Sequence, residues 1–487
     1  MSRGVATRRL LALGLATALA GCAAGPDFRP PPAPAVEAYA APAVAGDEDV
    51  APSEPQAFLA QSPTDTAWWH RFGSPQLDAL VDEALRANPT VQAAQAALRA
   101  AEENTAAQRG AYLPQVSAGL GASRQRNPVD VLSPTLTAGT PVFNLYTPQV
   151  SVAFTPDVFG TNRRTVEGLA AQAELARWQL QATYQTLVAN VVATAIAEAG
   201  LRAQIAATEH VLALGHESTA IARRQFELGS IAEIDVIAQE AALAQLAGTL
   251  PGLRQQEEMA EHQLATLTGH LPGEAPAVRF ELDALKLPAQ IPLGVPSELV
   301  RRRPDVRAAE ANLHAASAAV GVATGNLLPQ LTLTATLGSV ATGFGGLFTS
   351  GANFWSLGAN LSQTLFAGGE LVHRRRAAVA QFDQAGAGYR QAVLLAFQNV
   401  ADSLRALQHD AEATALAERA AAKSGEALAI TRRQQELGAA GYLALISAEQ
   451  AYNQALVSLA AARTARFADT VALFQALGGV EPEAQAR

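Results

Sequence analysis

Two stretches of this chain, Thr161 to Glu227 and Glu370 to Glu436, run without a proline and place their apolar residues at helical spacing. Each is stopped by a glycine, Gly229 in one case and Gly438 in the other. A helix of about 67 residues is about 100 Å long at 1.5 Å rise per residue. No compact domain holds that length, so the chain has to build a tube or a coiled-coil stalk. Shorter helical stretches accompany the long ones: about Gln76 to Gly110, Ile231 to Thr268, Ser297 to Gly325 and Tyr442 to Leu477. Pro251 lies inside the second of these and is expected to kink it. Pairs of short helices stacked end to end match the length of each long one. Between them a Pro-rich segment (Pro272, Pro276, Pro288, Pro292, Pro296) would form an irregular belt around the middle.

The two long stretches belong to a duplication. Pro89-x-Val91-x-Ala93-Ala94-x-Ala96-x-Leu98 recurs as Pro304-x-Val306-x-Ala308-Ala309-x-Ala311-x-Leu313, and Gly110-x-x-Leu113-Pro114-Gln115 recurs as Gly325-x-x-Leu328-Pro329-Gln330. Arg223-Arg224-Gln225-x-Glu227-Leu228-Gly229 recurs as Arg432-Arg433-Gln434-x-Glu436-Leu437-Gly438. A period of about 210 residues is far beyond a solenoid repeat and implies a pseudo-symmetric subunit.

Each half also carries two segments of strict alternation. Val116, Ala118, Leu120 and Ala122 alternate with Ser and Gly; Val150, Val152 and Phe154 alternate with Ser151, Ala153 and Thr155. Leu331, Leu333, Ala335 and Leu337 alternate with Thr; Trp355, Leu357, Ala359 and Leu361 alternate with Ser356, Gly358, Asn360 and Ser362. Period two over about ten residues with almost no charge matches a membrane-spanning barrel strand. Long turn-rich loops, Arg126 to Tyr146 and Ser339 to Asn353, join the strands of each pair. Four strands cannot close a barrel, for which about eight is the minimum, and open edges in lipid leave backbone groups unsatisfied. Several copies must therefore complete one cylinder.

The chain opens with Arg3, Arg8 and Arg9, then an apolar run from Leu10 to Ala20, too short to span a bilayer and of signal-peptide length. The run ends Leu19-Ala20-Gly21-Cys22, and Cys22 is the one cysteine of the chain. This is similar to a bacterial lipobox, whose thiolate accepts diacylglycerol before an N-acyl chain is added; two or more acyl chains anchor stably. Pro and Ala dominate from Ala23 to about Thr66, an extended leash on this reading. The divisions are then a signal peptide at 1–21, a lipid-anchored leash at 22–66, a first repeat at 67–270 with strands near 115–125 and 147–156, an equatorial segment at 271–296, a second repeat at 297–478 with strands near 330–339 and 354–365, and a tail at 479–487.

Several chemistries are missing. A net charge of -9 argues against a nucleic-acid partner, and a single cysteine excludes disulfides, CxxC pairs and cysteine-based zinc sites within the chain. Lys286 and Lys423 are the only lysines, neither within GxxxxGK[ST]; HExxH and GxSxG are absent and the eight histidines are scattered. With 6% aromatics there is little of a typical enzyme core either. Neither catalytic residues nor a metal or cofactor site emerges.

Trp68-Trp69-x-x-Phe72-Gly73-Ser74-Pro75-x-Leu77-x-x-Leu80-Val81 and Pro296-Ser297-Glu298-Leu299-Val300-Arg301-Arg302-Arg303-Pro304-Asp305-Val306-x-Ala308-Ala309-Glu310 are specific signatures. With the lipobox and the duplicated strand-helix-strand plan, the chain resembles the TolC-like outer-membrane efflux proteins, in their NodT-like or OprM-like lipoprotein branch. The resemblance covers about Ala67 to Gly479. It implies a mixed α and β membrane protein, in which a long α-helical periplasmic barrel continues into a twelve-strand β-barrel of a homotrimer. It implies an outer-membrane location with Ala23 after the lipidated cysteine, a periplasmic adaptor (membrane fusion protein) as partner, and an inner-membrane resistance-nodulation-division (RND) transporter as the energy source. The turns at Gly229, Ser230, Gly438 and Ala439 would meet the adaptor. Leu443 would be an apolar constriction at the periplasmic aperture; Ser447 stands where many relatives have an aspartate, with Glu449 and Asp235 as nearby acidic alternatives. Arg301 to Arg303 would start a helix and bind neighbouring carboxylates. The function implied is a passive duct for small-molecule efflux; a type I protein-secretion duct of the same fold and a non-channel lipoprotein stalk remain as alternatives.

Overall fold

The computed structural model describes residues 24–32, 34, 38–39, 54–59, 67–126, 142–274, 278–294 and 301–478. Cys22, the segment 1–21, most of the first long loop and the tail 479–487 lie outside them. In chain order the elements are β1 (Ala57–Leu59), α1 (Pro75–Ala87), α2 (Pro89–Arg109), β2 (Gln115–Arg126), β3 (Val142–Phe154), α3 (Thr161–Glu227), α4 (Glu233–Ala247), α5 (Leu250–Leu267), β4 (Gln290–Pro292), α6 (Pro304–Gly325), β5 (Gln330–Ser339), β6 (Asn353–Ser362), α7 (Glu370–Glu436) and α8 (Tyr442–Ala476). The chain divides into two compact units, one of residues 1–31, 98–175 and 309–389, the other of residues 32–97, 176–308 and 390–487.

The first unit holds a four-stranded antiparallel sheet in the order β2-β3-β5-β6. Its register pairs Val116 with Val152, Val150 with Leu337, and Leu331 with Leu361. Because side chains alternate along each strand, the apolar set gathers on one face. Val116, Leu120, Trp355, Leu357 and Leu361 on that face are 66–75% exposed. Among the described residues β2 and β6 each lack a strand on their outer side. The first hairpin is longer than the alternation suggested: β3 begins at Val142, opposite Arg126, rather than near 147, and it ends at Phe154 rather than 156. Backbone pairing with β2 carries the ladder past the end of the apolar pattern. β6 stops at Ser362, short of 365, because its partner β5 starts at Gln330.

Asp157 opens α3 by accepting hydrogen bonds from Asn162 N (2.9 Å) and Arg163 N (2.6 Å), which satisfies two of the amides that a helix start leaves unpaired. Among the described residues after Ala23, Ala24, Asp27 and Phe28 are docked. Ala24 N donates to Phe159 O at 2.9 Å, Arg164 donates to Asp27 at 2.7 Å, and the Phe28 ring stacks on His314 at 4.3 Å. Short apolar and charged residues on either side of Pro26 give this piece its footholds.

In the second unit, Ser74 caps α1 and Pro75 follows at its first position. Asn88 then ends α1 and starts α2, its Oδ1 accepting from Thr90 N at 2.8 Å, so the stretch from Gln76 is two helices. The stretch from Ile231 is interrupted in the turn before Pro251, where Gly248 and Thr249 keep right-handed helical angles, as a proline kink requires. α4 ends at Ala247, and Pro251 sits in the first turn of α5, where its missing N–H costs nothing. The Trp68 and Phe72 side chains are fully buried, Trp68 stacking on Phe474 at 5.2 Å and Phe72 lying 6.1 Å from Phe467. Residues 54–59 form a strap: β1 runs parallel to β4, with Phe58 opposite Ile291, and Arg466 donates to the Glu54 carbonyl and the Gln56 side chain. Arg303 binds Asp305 at 2.7 Å and the Ala476 carbonyl at 3.0 Å, which ties the start of α6 to the end of α8.

Candidate functional site

Within the second unit, the turns that end α3 and α7 are built alike. Gly229 and Gly438 both take positive φ, 73° and 74°, the left-handed conformation that glycine adopts without strain. Ser230 N donates to Gln225 O at 2.9 Å and Ala439 N to Gln434 O at 2.7 Å, the six-residue closure of a Schellman cap. The apolar residues just before the glycines, Leu228 and Leu437, are 68% and 69% exposed. Arg224 pairs with Glu227, and Arg433 with Glu436. The duplicated Arg-Arg-Gln-x-Glu-Leu-Gly motif is thus one helix terminator used twice.

Past the turn the two halves diverge. Tyr442 is buried against Ala222 and Val236, and its hydroxyl donates to Gln225 Oε1 at 2.8 Å, so it locks one turn to the other. Burial pushes its phenol above the usual range. Arg432 donates to the Leu214 carbonyl at 3.0 Å and lies 3.5 Å from Glu449. Glu449 is buried and accepts from Ser218 at 3.0 Å; burial raises its carboxyl above the ordinary value. Glu449 therefore faces the α3 packing surface in the single chain, not an open passage, because Gly215 and Ser218 leave it a recess there. Leu443 is 75% exposed, and Ser447 is exposed too, its hydroxyl donating back to the Leu443 carbonyl. Asp235 is half-buried in the first turn of α4. Gly229, Ser230, Gly438 and Ala439 are all exposed.

Sequence reasoning did not find Arg432, Ser218 or the partners of Tyr442. One signal for the arginine was present: Arg223 with Glu240 in the first half occupy the positions that Arg432 with Glu449 occupy in the second.

A second group of charges lies elsewhere in this unit. Carboxylate oxygens of Glu198, Glu257 and Glu261 come within 4.8 Å of one another. Burial pushes Glu198 up to about 7, against a hydrogen bond from Phe280 N and the nearby Arg202. Arg202 is 3.5 Å from Glu198 and 3.9 Å from Glu257, so a guanidinium already supplies the positive charge that a metal ion would bring. Asp410 is likewise pushed up to about 7 by burial and by its hydrogen bond with Asp469. Arg202, Glu257 and Glu261 also line a cavity of about 390 Å³ together with Glu209 and Arg254.

Across the chain, the sequence model of the outer membrane efflux protein family matches residues 80–270 and 295–479. The chain belongs to that family. The pyoverdine export outer membrane protein OpmQ of Pseudomonas putida is 30% identical to this efflux protein over 432 residues, 87% of this chain and 90% of that one. The toluene efflux pump outer membrane protein TtgF of Pseudomonas putida is 30% identical over 480 residues, 96% of each. The solved outer-membrane channel OprN superposes with a TM-score of 0.84 at 30% identity, covering 94% of this chain and 99% of OprN. The efflux protein is thus an outer-membrane efflux channel of TolC-like fold, in a family of ducts rather than of enzymes.

Proposed function

We propose that this efflux protein is the passive duct of a tripartite pump. Three copies close a twelve-strand barrel in the outer membrane, and the hairpin turns at Gly229 and Gly438 are the periplasmic mouth that meets an adaptor. An inner-membrane RND transporter supplies the free energy. The observation that carries this reading is the sheet itself: four strands with an exposed apolar face and both edges without a neighbour cannot rest in lipid alone. That relatives such as TtgF are named as efflux pump outer membrane proteins supports the partners.

At the mouth, Leu443 and its counterpart Ile234, 75% and 67% exposed, are the apolar narrowing. Ser447 and Asp235 line the approach, while Glu449 holds the closed state from behind through Ser218 and Arg432. Cys22 carries diacylglycerol and an N-acyl chain that fix each copy to the outer membrane. The duct lowers the barrier to export by replacing lipid with water.

Purified protein inserted into planar bilayers tests the reading. Discrete conductance steps are expected, small in the wild type and larger when Arg432→Ala releases Glu449. Inserted trimer with no conductance in either form would overturn the duct; a monomer stable without detergent would overturn the barrel.

A further inference from the structure

Both halves of the second unit build the same helix junction and fill it differently. In the second half Arg303, buried just ahead of α6, occupies it. Its guanidinium donates to the Ala476 carbonyl at 3.0 Å and the Ala396 carbonyl at 3.5 Å, and it binds Asp305 at 2.7 Å. The Asn399 amide lies 3.3 Å from the same guanidinium, and a Cβ on Gly478 would come within 3.3 Å of the arginine.

Aligning α3 with α7, the end of α5 with the end of α8, and Pro89 with Pro304 gives each of these residues a counterpart. Leu187 replaces Ala396, Asn190 matches Asn399, Leu267 replaces Ala476 and Gly269 matches Gly478. In place of Arg303 and Asp305 stand Asn88 and Thr90. Asn88 repeats one contact, its Nδ2 donating to the Leu267 carbonyl at 2.8 Å, and its Oδ1 is taken up by Thr90. The shorter side chain goes no further. Around it lies a cavity of about 780 Å³, lined by Asn88, Thr90, Leu187, Asn190, Leu267 and Gly269 among others. The first half thus has open space where the second half holds a guanidinium.

We propose that this cavity binds a small guanidinium compound from solution. The cationic head sits where the other half places Arg303, and an apolar body lies against Leu187, Leu267 and Leu271.

The chemistry of the wall carries the choice of ligand. Three of its hydroxyls spend their hydrogens on neighbours: Thr90 on Asn88 Oδ1 at 2.5 Å, Thr183 on the Gln179 carbonyl at 2.9 Å, and Thr266 on the His262 carbonyl at 3.1 Å. Each then offers only lone pairs to the cavity. Glu274 adds a carboxylate, and His270, also in the wall, is engaged by Glu83 at 2.7 Å. Such a wall calls for a ligand that donates and does not accept, and a guanidinium carries N–H donors and no acceptor. An ammonium is a compact, strongly hydrated point charge and cannot span acceptors set this far apart. The acceptors also belong to the half that lacks the arginine: where α3 has Thr183 and Thr186, α7 has Ala392 and Leu395. The cavity is roomier than a guanidinium needs, and Leu271, 66% exposed, gives the rest of the ligand an apolar wall.

Titration calorimetry of the full-length protein in detergent tests the site with butylguanidinium against butylammonium, which shares its charge and tail but not its planar fork. Wild type is expected to bind the guanidinium at least about tenfold more tightly. Asn88→Arg with Thr90→Asp installs the second half's own pair in the cavity and should abolish that binding. Thr186→Leu copies Leu395, removes a wall hydroxyl and leaves the Asn88 hydrogen bonds in place. It should weaken binding about tenfold, and it carries the test if the double variant does not fold. Loss of guanidinium binding in either folded variant supports the site. No binding to wild type, or equal affinity for the two cations, overturns it. So does guanidinium binding that survives in every variant that folds, which would place the ligand elsewhere.

Discussion

The two hairpin turns share a cap, a motif and an ion pair, yet they differ in what surrounds that ion pair. Arg223 and Glu240 meet at 2.7 Å with side chains 63% and 42% exposed. Arg432 and Glu449, at the equivalent positions, are 28% and 11% exposed and sit 3.5 Å apart. The exposed pair is shorter and matters less, because water screens it and either partner can be solvated alone. The buried pair is longer but has no such escape: its members depend on Ser218, the Leu214 carbonyl and each other. Duplication supplied the same two charges twice, and helix packing made one copy a surface decoration and the other a fastening.

Removing one carboxylate from each copy is the largest test. Glu449→Ala is expected to cost on the order of 3 kcal/mol by leaving Arg432 half-buried without its partner, whereas Glu240→Ala should cost less than about 1 kcal/mol and the loss should fade with added salt. Denaturant unfolding of both variants in detergent reads the difference; equal losses would break the comparison. Ser218→Ala, which removes a hydrogen bond to a charged acceptor, is expected to cost about 1.5 kcal/mol, and its effect should vanish when Glu449 is already Ala in the same protein. The caps should behave alike: Gly229→Ala and Gly438→Ala each lose about 1 kcal/mol from positive φ alone, as neither Cβ would meet another atom.

A pH-dependent effect belongs to Glu198, where the second half has the buried Leu407 instead. Its carboxyl titrates near 7 in the fold against an ordinary 4.5, so the folded chain holds the extra proton between those values. Stability contributed by the neutral form is present at low pH and is lost as pH rises through about 7. Glu198→Gln should therefore melt at a higher temperature than wild type at pH 8, and the gap should close by pH 4. A gap independent of pH would assign the effect to packing.

Much of this architecture was legible before any coordinates. The long helices end where Gly229 and Gly438 follow them, because a duplicated terminator leaves little freedom, and the alternation of Leu331 to Leu337 and of Trp355 to Leu361 marks strands with an apolar face. Strand ends were less legible: Val142 to Tyr146 pair with β2 through backbone groups, which carry no side-chain pattern. The kink before Pro251 was legible from the proline, but not that it falls at Gly248 and Thr249, just after α4 ends at Ala247. Glu449 was hardest. Its exposure is decided by Gly215 and Ser218 more than two hundred residues away, and an acidic residue near a turn looks solvated until that neighbour is known.

The strap at residues 54–59 has a practical consequence for anyone shortening this protein from its amino end. Arg466 is 3% exposed, and burial pulls its guanidinium below the usual range; the Glu54 carbonyl and the Gln56 amide oxygen are among the groups that receive it. A shortened form beginning after residue 60 would strand that cation inside the helices, so a graft should join upstream of Glu54 if the body is to fold unaided.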